Sequence, residues 1–260
     1  MSALHRFPSG PTTASALADR LGAELHGDDR SVHGVAALEF AHADALAWFG
    51  GRTLPDDCQA GVLLTSQPID GRTCLVVPHP LRSFGQLLRG LFPEDLGGGV
   101  HPSAVVHPTA QLGARVVISA GCVVGARVDI GEDTVLFPNV TVYADTVIGA
   151  RCRIHAGAVL GGDGFRYAPG ARGPERIPQL GALVLEDEVE VGANTCIDRG
   201  GLGSTRIGRG SKLDNLVQVG HNSQLGQGVV VAGQAGLAGS VTVGDGAQIG
   251  GQAGIADHRT

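Results

Sequence analysis

The chain has 260 residues, a formal charge of −6, 42 glycines and only 4% aromatic residues. The glycines follow no Gly-X-Y period, which excludes collagen, and the acidic balance excludes a general nucleic-acid binder, whose surface must be basic. No run approaches the ~18 apolar residues of a spanning helix, and "MSALHRFPSG" reads as neither signal peptide nor anchor.

Residues 1–97 read as a small α/β domain. "TTASALADRLGA" predicts a helix with Thr12 or Thr13 as N-cap, Leu17 and Leu21 on one face, and Gly22 as the stop. Strand-like runs follow in "SVHGVAAL", "ALAWF", "GVLLT" and "TCLVV". "PLRSFGQLLRGLF" predicts a second helix, with Leu81, Phe84, Leu88, Leu91 and Phe92 near helical spacing. "PEDLGGG" reads as a linker. The five cysteines are odd in number and form no CxxC pair, which points to a reduced, cytoplasmic protein.

Residues 98–260 keep a different rhythm. Aliphatic residues recur every six positions from Val100 through Leu160, again at Leu185, Val191 and Ile197, and from Ile207 to Ile255. This is a hexapeptide repeat. Each hexad supplies a short strand and a turn, and three hexads close a triangular coil of eighteen residues. Successive coils stack at about 4.8 Å, the spacing of hydrogen-bonded strands. The aliphatic residue points inward, and a small slot four places on holds Cys122, Thr134, Val140, Thr146, Cys152 and Ala158. Glycines after many aliphatics are expected to serve tight turns through their freedom in φ. The result is a parallel β-helix whose hand the period leaves open.

Three features depart from the beat. Residues 163–182, "DGFRYAPGARGPERIPQLGA", are too long for a turn and must leave the helix as a loop. With Phe165, Tyr167, Arg166, Arg172 and Arg176, that loop is a candidate for binding. A shorter slip occurs at "DRGGLGST". The sequence also stops in mid-hexad at Thr260, where a bare coil would expose strand edges, so a cap or another covering is expected there.

Most of the ten histidines take turn or surface positions. His221 and His258 are separated by two coils plus one residue, which sets them on one edge roughly 10 Å apart. Gly239, eighteen residues after His221, lies between them in height. A neutral imidazole can accept a proton from an attacking amine or hydroxyl, and the Gly239 N–H could stabilise an oxyanion. The arrangement suits acyl transfer, with two unrelated turn histidines as the alternative. Asp214 and Asn215, one hexad before His221, occupy a different edge and meet it only across a subunit boundary. A trimer of three-sided prisms with sites between chains is therefore expected.

"FPNVTVY", "GGDGFRYA", "RIPQLGALVLEDEVEVGANTCIDRG", "LDNLVQVGHN" and "AGQAGLAGSVTVG" resemble the UDP-3-O-acylglucosamine N-acyltransferases of lipid A biosynthesis, over nearly the whole chain. The resemblance implies a left-handed β-helix, a homotrimer, and transfer of a 3-hydroxyacyl chain from acyl carrier protein to the 2-amino group of a UDP-linked, 3-O-acylated glucosamine. It implies His221 as general base, Gly239 as oxyanion donor and His258 as an aid to binding or to the transition state. Asp214 and Asn215 would contact the sugar or orient the base. No metal and no bound cofactor is implied, since the acyl group arrives on phosphopantetheine. The first domain resembles that family's uridine-binding domain, where two aromatics sandwich uracil; here "WFGGRTL" offers Trp48 and places Leu54 second. Relatives carry further coils and a C-terminal helical segment that bind the carrier protein and the acyl chain. An acidic carrier needs a basic patch, for which Arg199, Arg206, Arg209 and Lys212 are candidates.

Three other readings remain at this level. A zinc carbonic anhydrase needs a third histidine beyond His221 and His258. A truncated or non-catalytic nucleotide-sugar binder fits the early end and Leu54. O-acyl transfer to UDP-N-acetylglucosamine fits the repeat, but that family usually lacks the first domain.

Overall fold

The computed structural model describes residues 4–260. The chain divides into two compact units, Met1–Asp95 and Leu96–Thr260.

The first unit is built on a six-stranded sheet. Its strands run in the order His5–Arg6, Gly34–Val35, Ala45–Trp48, Val62–Thr65, Thr73–Val76 and Glu24–His26. The four inner strands are parallel and the two edges antiparallel. Helix α1, Ala14–Leu21, starts where Thr13 Oγ1 accepts the Ala16 N–H at 3.2 Å, and ends at Gly22 in the left-handed region. Helix α2, Pro80–Leu91, buries Leu87 and Leu91, with Phe84, Leu88 and Phe92 packed beside them. Leu81 departs from expectation. It lies 61% exposed in the first turn of the helix, where it borders the groove beside Trp48 instead of the core.

The second unit is a parallel β-helix of three sheets, one of eight strands and two of seven. Successive coils pair in strict register, as in Ile118↔Leu136↔Ile154. The aliphatic column forms one continuous core from Val116 to Val243, fully enclosed along most of its length. In the small slots the backbone satisfies the Thr134 hydroxyl, which donates to the Gly149 carbonyl at 2.8 Å and accepts the Cys152 N–H at 2.9 Å, whereas the buried Thr146 hydroxyl finds no partner among the described residues.

The expected reason for glycine after the aliphatic residue is corrected. The turn residues with positive φ are mostly not glycine, among them Arg115, Asp133, Asn139 and Asn222. Apart from Gly161, the glycines that follow the aliphatics have ordinary φ, and what most of them spare is a collision. A Cβ on Gly131 would lie 2.5 Å from the Ala150 nitrogen of the next coil, and one on Gly192 would lie 2.4 Å from the Asp214 carbonyl carbon. Close stacking of coils, rather than backbone freedom, demands glycine there.

Both breaks in the beat fall on one edge. The pairing Leu160↔Ile197 spans 37 residues and Ile197↔Val219 spans 22, where regular coils span eighteen. The first break leaves after the strand Val159–Gly162 and folds into an antiparallel hairpin, Tyr167–Gly170 against Gly173–Arg176. The second leaves after Cys196–Asp198. These strands lie directly below Gln218–Val219, whose turn carries His221.

Candidate active site

A cleft of about 880 Å³ lies on that edge of the β-helix. One wall is formed by the turns after Gln218–Val219, Gly236–Leu237 and Gly254–Ile255, three strands stacked in register. These turns bring His221, Gly239 and His258 to the same cleft. The level above Gly239 in line with His221 is Asp257, and His258 sits one residue further round. The opposite side comes from the excursion, through Asp163, Phe165, Arg166, Tyr167 and Arg176. Arg176 is salt-bridged to Asp163 across the base of the hairpin, and Phe165, 90% exposed, meets Tyr167 edge-on at 5.0 Å. Arg172 does not reach the cleft lining.

Gly239 packs against the imidazole itself. A Cβ there would lie 2.1 Å from His221 Cε1 and 2.3 Å from Nδ1. The ring therefore lies on a bare stretch of the next turn, and only glycine allows it. His221 Nδ1 is buried and has no hydrogen-bond partner; an unsatisfied buried nitrogen in a cleft is a common mark of a reacting group. The Gly239 N–H donates to no protein acceptor among the described residues. The two turns are tied by the Ser240 N–H to the His221 carbonyl at 2.8 Å, and by the His258 N–H to the Gly239 carbonyl at 3.2 Å. Beside His221, the Asn222 side chain accepts the Gly201 N–H at 2.8 Å and so pins the second irregular loop.

Asp198 completes the floor of the cleft and was not singled out in the sequence. It lies in the coil below His221, under Gly220. Burial pushes its carboxyl up to about 6, against the opposing effects of a hydrogen bond from Gln218 and the proximity of His221. Its neighbour Arg199 turns away to Asp145 and the Ala144 carbonyl. The start of the excursion closes over both groups. A Cβ on Gly164 would lie 2.9 Å from His221 Cβ and 3.2 Å from Asp198 Oδ2. Gln179, at the far end of the same loop and 4% exposed, holds Gly164 from both sides: its Oε1 accepts the Gly164 N–H at 3.1 Å and its Nε2 donates to the carbonyl at 3.0 Å. Asp198 could have been found by counting coils, had the slip been taken as four residues. Gln179 left no periodic signal, because it lies in the part of the chain that has left the repeat.

Asp214 and Asn215 stand on the other edge, exposed and outside the cleft lining. Within the chain Asn215 Oδ1 accepts the Ala193 N–H at 2.7 Å and links adjacent coils. Among the described residues no third metal-ligand type joins His221 and His258 in a cluster. In the first unit, Trp48 borders a groove of about 700 Å³ with Ser66, His79, Leu81 and Arg82. Phe49 and Leu54 turn instead into the second small core, packed against Cys58 and Leu63. Of the basic candidates, Arg199 is nearly buried, while Arg206, Arg209 and Lys212 are paired with Glu186, Asp187 and Glu190.

A β-helix of hexapeptide turns with an imidazole laid on a glycine turn in an edge cleft defines a hexapeptide-repeat acyltransferase. Residues 127–162 match the bacterial transferase hexapeptide (six repeats) model. Among solved structures, the chain is similar to UDP-N-acetylglucosamine acyltransferase of Francisella novicida, at 28% identity and TM-score 0.56 over 62% of this chain and 58% of that one. It is likewise similar to the UDP-N-acetylglucosamine O-acyltransferase of Moraxella catarrhalis, at 29% identity and TM-score 0.56 over 62% and 61%. The chain thus spans about three-fifths of those structures. Over longer stretches it is 43% identical to a UDP-3-O-acylglucosamine N-acyltransferase of Neisseria meningitidis, covering 88% of this chain and 74% of the relative. It is 38% identical to one from Methylobacterium sp., covering 91% and 78%. The chain belongs to the UDP-3-O-acylglucosamine N-acyltransferase family.

Proposed function

We propose that this chain transfers a 3-hydroxyacyl group from the phosphopantetheine thioester of an acyl carrier protein to the 2-amino group of UDP-3-O-acylglucosamine, in lipid A biosynthesis in the cytoplasm. The observation that carries the reading is the His221 imidazole resting on Gly239 with a buried, unpartnered nitrogen. The amine nitrogen attacks the thioester carbonyl, the C–N bond forms and the C–S bond breaks. His221 takes a proton from the nitrogen and returns it to the departing thiolate. The Gly239 N–H faces the oxygen on which charge develops, and His258, one turn on, steadies the donor or the transition state. None of these steps calls on a metal or a redox cofactor.

A homotrimer fits the outer face of the eight-stranded sheet. Val105, Val123, Thr141 and Val159 stack there in register, with Val105 64% and Val123 43% exposed. A lone β-helix gains nothing from such a stripe, and packing it against a second copy removes it from water. A neighbouring copy would also bring Asp214 and Asn215 from their own edge towards the cleft. In the first unit, the Trp48 groove is the place for the uracil ring, held on one aromatic face rather than between two. Docking of an acidic carrier has to draw on Arg206, Arg209 and Lys212 despite their present carboxylate partners.

The test is acyl transfer from 3-hydroxyacyl carrier protein to UDP-3-O-acylglucosamine, with wild type beside His221→Ala. Loss of the general base is expected to slow turnover by about 10²–10⁴-fold. A His221→Ala enzyme within threefold of wild type removes His221 from the chemistry. A wild type that binds the UDP-sugar without turnover makes the chain a binding protein.

A further inference from the structure

Asp198 is a titratable group of the cleft that the acyl-transfer steps above leave unused. It lines the cleft, stands one coil below His221 and is approached by the same glycine, Gly164, that touches His221. Asp198 is half-buried, and a carboxylate partly withdrawn from water is ordinarily paired with a cation. The groups that face this one are the Gln218 amide, His221 and the Gly164 backbone, and the adjacent guanidinium of Arg199 is engaged with Asp145. Of the other arginines lining the cleft, Arg176 is held by Asp163 and Arg166 lies beside Gly201, and neither acts on this carboxyl, whose one charged neighbour is His221. Its raised pKa is the electrostatic expression of the same fact.

The acceptor proposed above supplies the complementary charge. An aliphatic amine is largely an ammonium ion near neutral pH, as an α-amino group with a pKa of about 7.7–8.0 is. A hydroxyl in the same place carries no charge. We propose that Asp198 is the residue that binds the acceptor ammonium beside His221 and makes the cleft select an amine over a hydroxyl at that position. This rests on the acyltransferase reading of the site and names what that site recognises. The proton balance is consistent with it. The bound R–NH3+ first loses one proton through the Asp198 carboxylate to water. The resulting amine attacks, His221 takes the second nitrogen proton and hands it to the departing thiolate, so that ammonium and thioester give amide, thiol and one released proton.

The experiment is calorimetric titration of the full chain, without acyl donor, at pH 7. The two ligands are UDP-3-O-acylglucosamine and the analogue with a 2-hydroxyl in place of the amine. Wild type should bind the amine at least tenfold more tightly. Asp198→Asn, with the same shape and no charge, should lose about ten- to a hundredfold for the amine, the range expected for one charged hydrogen bond, and less than twofold for the hydroxyl ligand. A purely structural role would weaken both ligands together, and that result overturns the assignment. Wild-type parity between the two ligands also overturns it, whether or not the variant folds. Wild type that binds neither ligand overturns the acceptor reading, and this assignment with it.

Discussion

Gly239→Ala tests the site with the smallest possible perturbation. The added methyl group would stand 2.1 Å from His221 Cε1, about 1.3 Å inside the 3.4 Å at which ordinary contact begins. The φ of Gly239 is not in the left-handed region, so the substitution carries no backbone strain. The backbone N–H also stays in place. What must yield is the ring, whose own Cβ is closely approached by Gly164, or the turn that carries it. A displacement of about 1 Å in a reacting group can cost 10²-fold in rate, and that is the expected loss in kcat. Overpacking of this size costs about 1–3 kcal/mol in stability, which a thermal melt will register as a modest fall. Gly244→Ala is the control: it lies in the β-helix directly after Val243, outside the cleft lining and with nothing within 4 Å of the new atom, and it should leave kcat unchanged. The assay is steady-state acyl transfer with both substrates saturating. If Gly239→Ala keeps kcat within threefold of wild type while the melt confirms folding, the contact does not position the base.

The other expectations concern the loop, the carboxylate and the core. Gln179→Leu removes both hydrogen bonds to Gly164 and leaves its half-buried N–H and C=O without their partners, at about 1 kcal/mol each; limited proteolysis within 163–182 should quicken and kcat/KM should fall, whereas unchanged cleavage would show that the loop is held by other contacts. Asp198 has a folded-state pKa raised to about 6 from 3.8. The folded state therefore binds more protons between those values, and stability falls as pH rises through that window and stays lower above it. Full conversion of that shift gives about 3 kcal/mol, which contact with cleft water reduces to about 1–2 kcal/mol. Asp198→Asn should accordingly melt higher than wild type at pH 8 and equally at pH 4; a lower melt at pH 8 would show a compensating charge contact. Ile154→Ala, in the fully enclosed column, should cost about 2–5 kcal/mol, read from denaturant unfolding, with a smaller effect signalling that the coils close over the space.

Much of this protein is written in its periodicity. A six-residue beat can bury its aliphatic residues only by closing into stacked coils, so the β-helix and its core column follow from Val100 to Ile255 by counting. Counting in eighteens also sets His221 and Gly239 on one edge and Asp214 and Asn215 on another. The arithmetic holds because strand pairing is in register and each coil repeats the last. What it could not supply is everything that depends on chain leaving the repeat or on contacts between turns. The slip between Ile197 and Ile207 carries Asp198 into the coil below His221, and only the fold shows that its carboxyl is drawn into the cleft. The return of the excursion is decided by Gln179 gripping Gly164, a contact between two points fifteen residues apart with no period behind it. Glycine in the sequence says only that a side chain is absent. Whether that serves backbone freedom, as at Gly22, or a collision avoided, as at Gly239, depends on what the next turn places within reach. The same holds for Leu54 and Leu81, two leucines alike in composition, one turned into a core and the other left outside it by the packing of their neighbours.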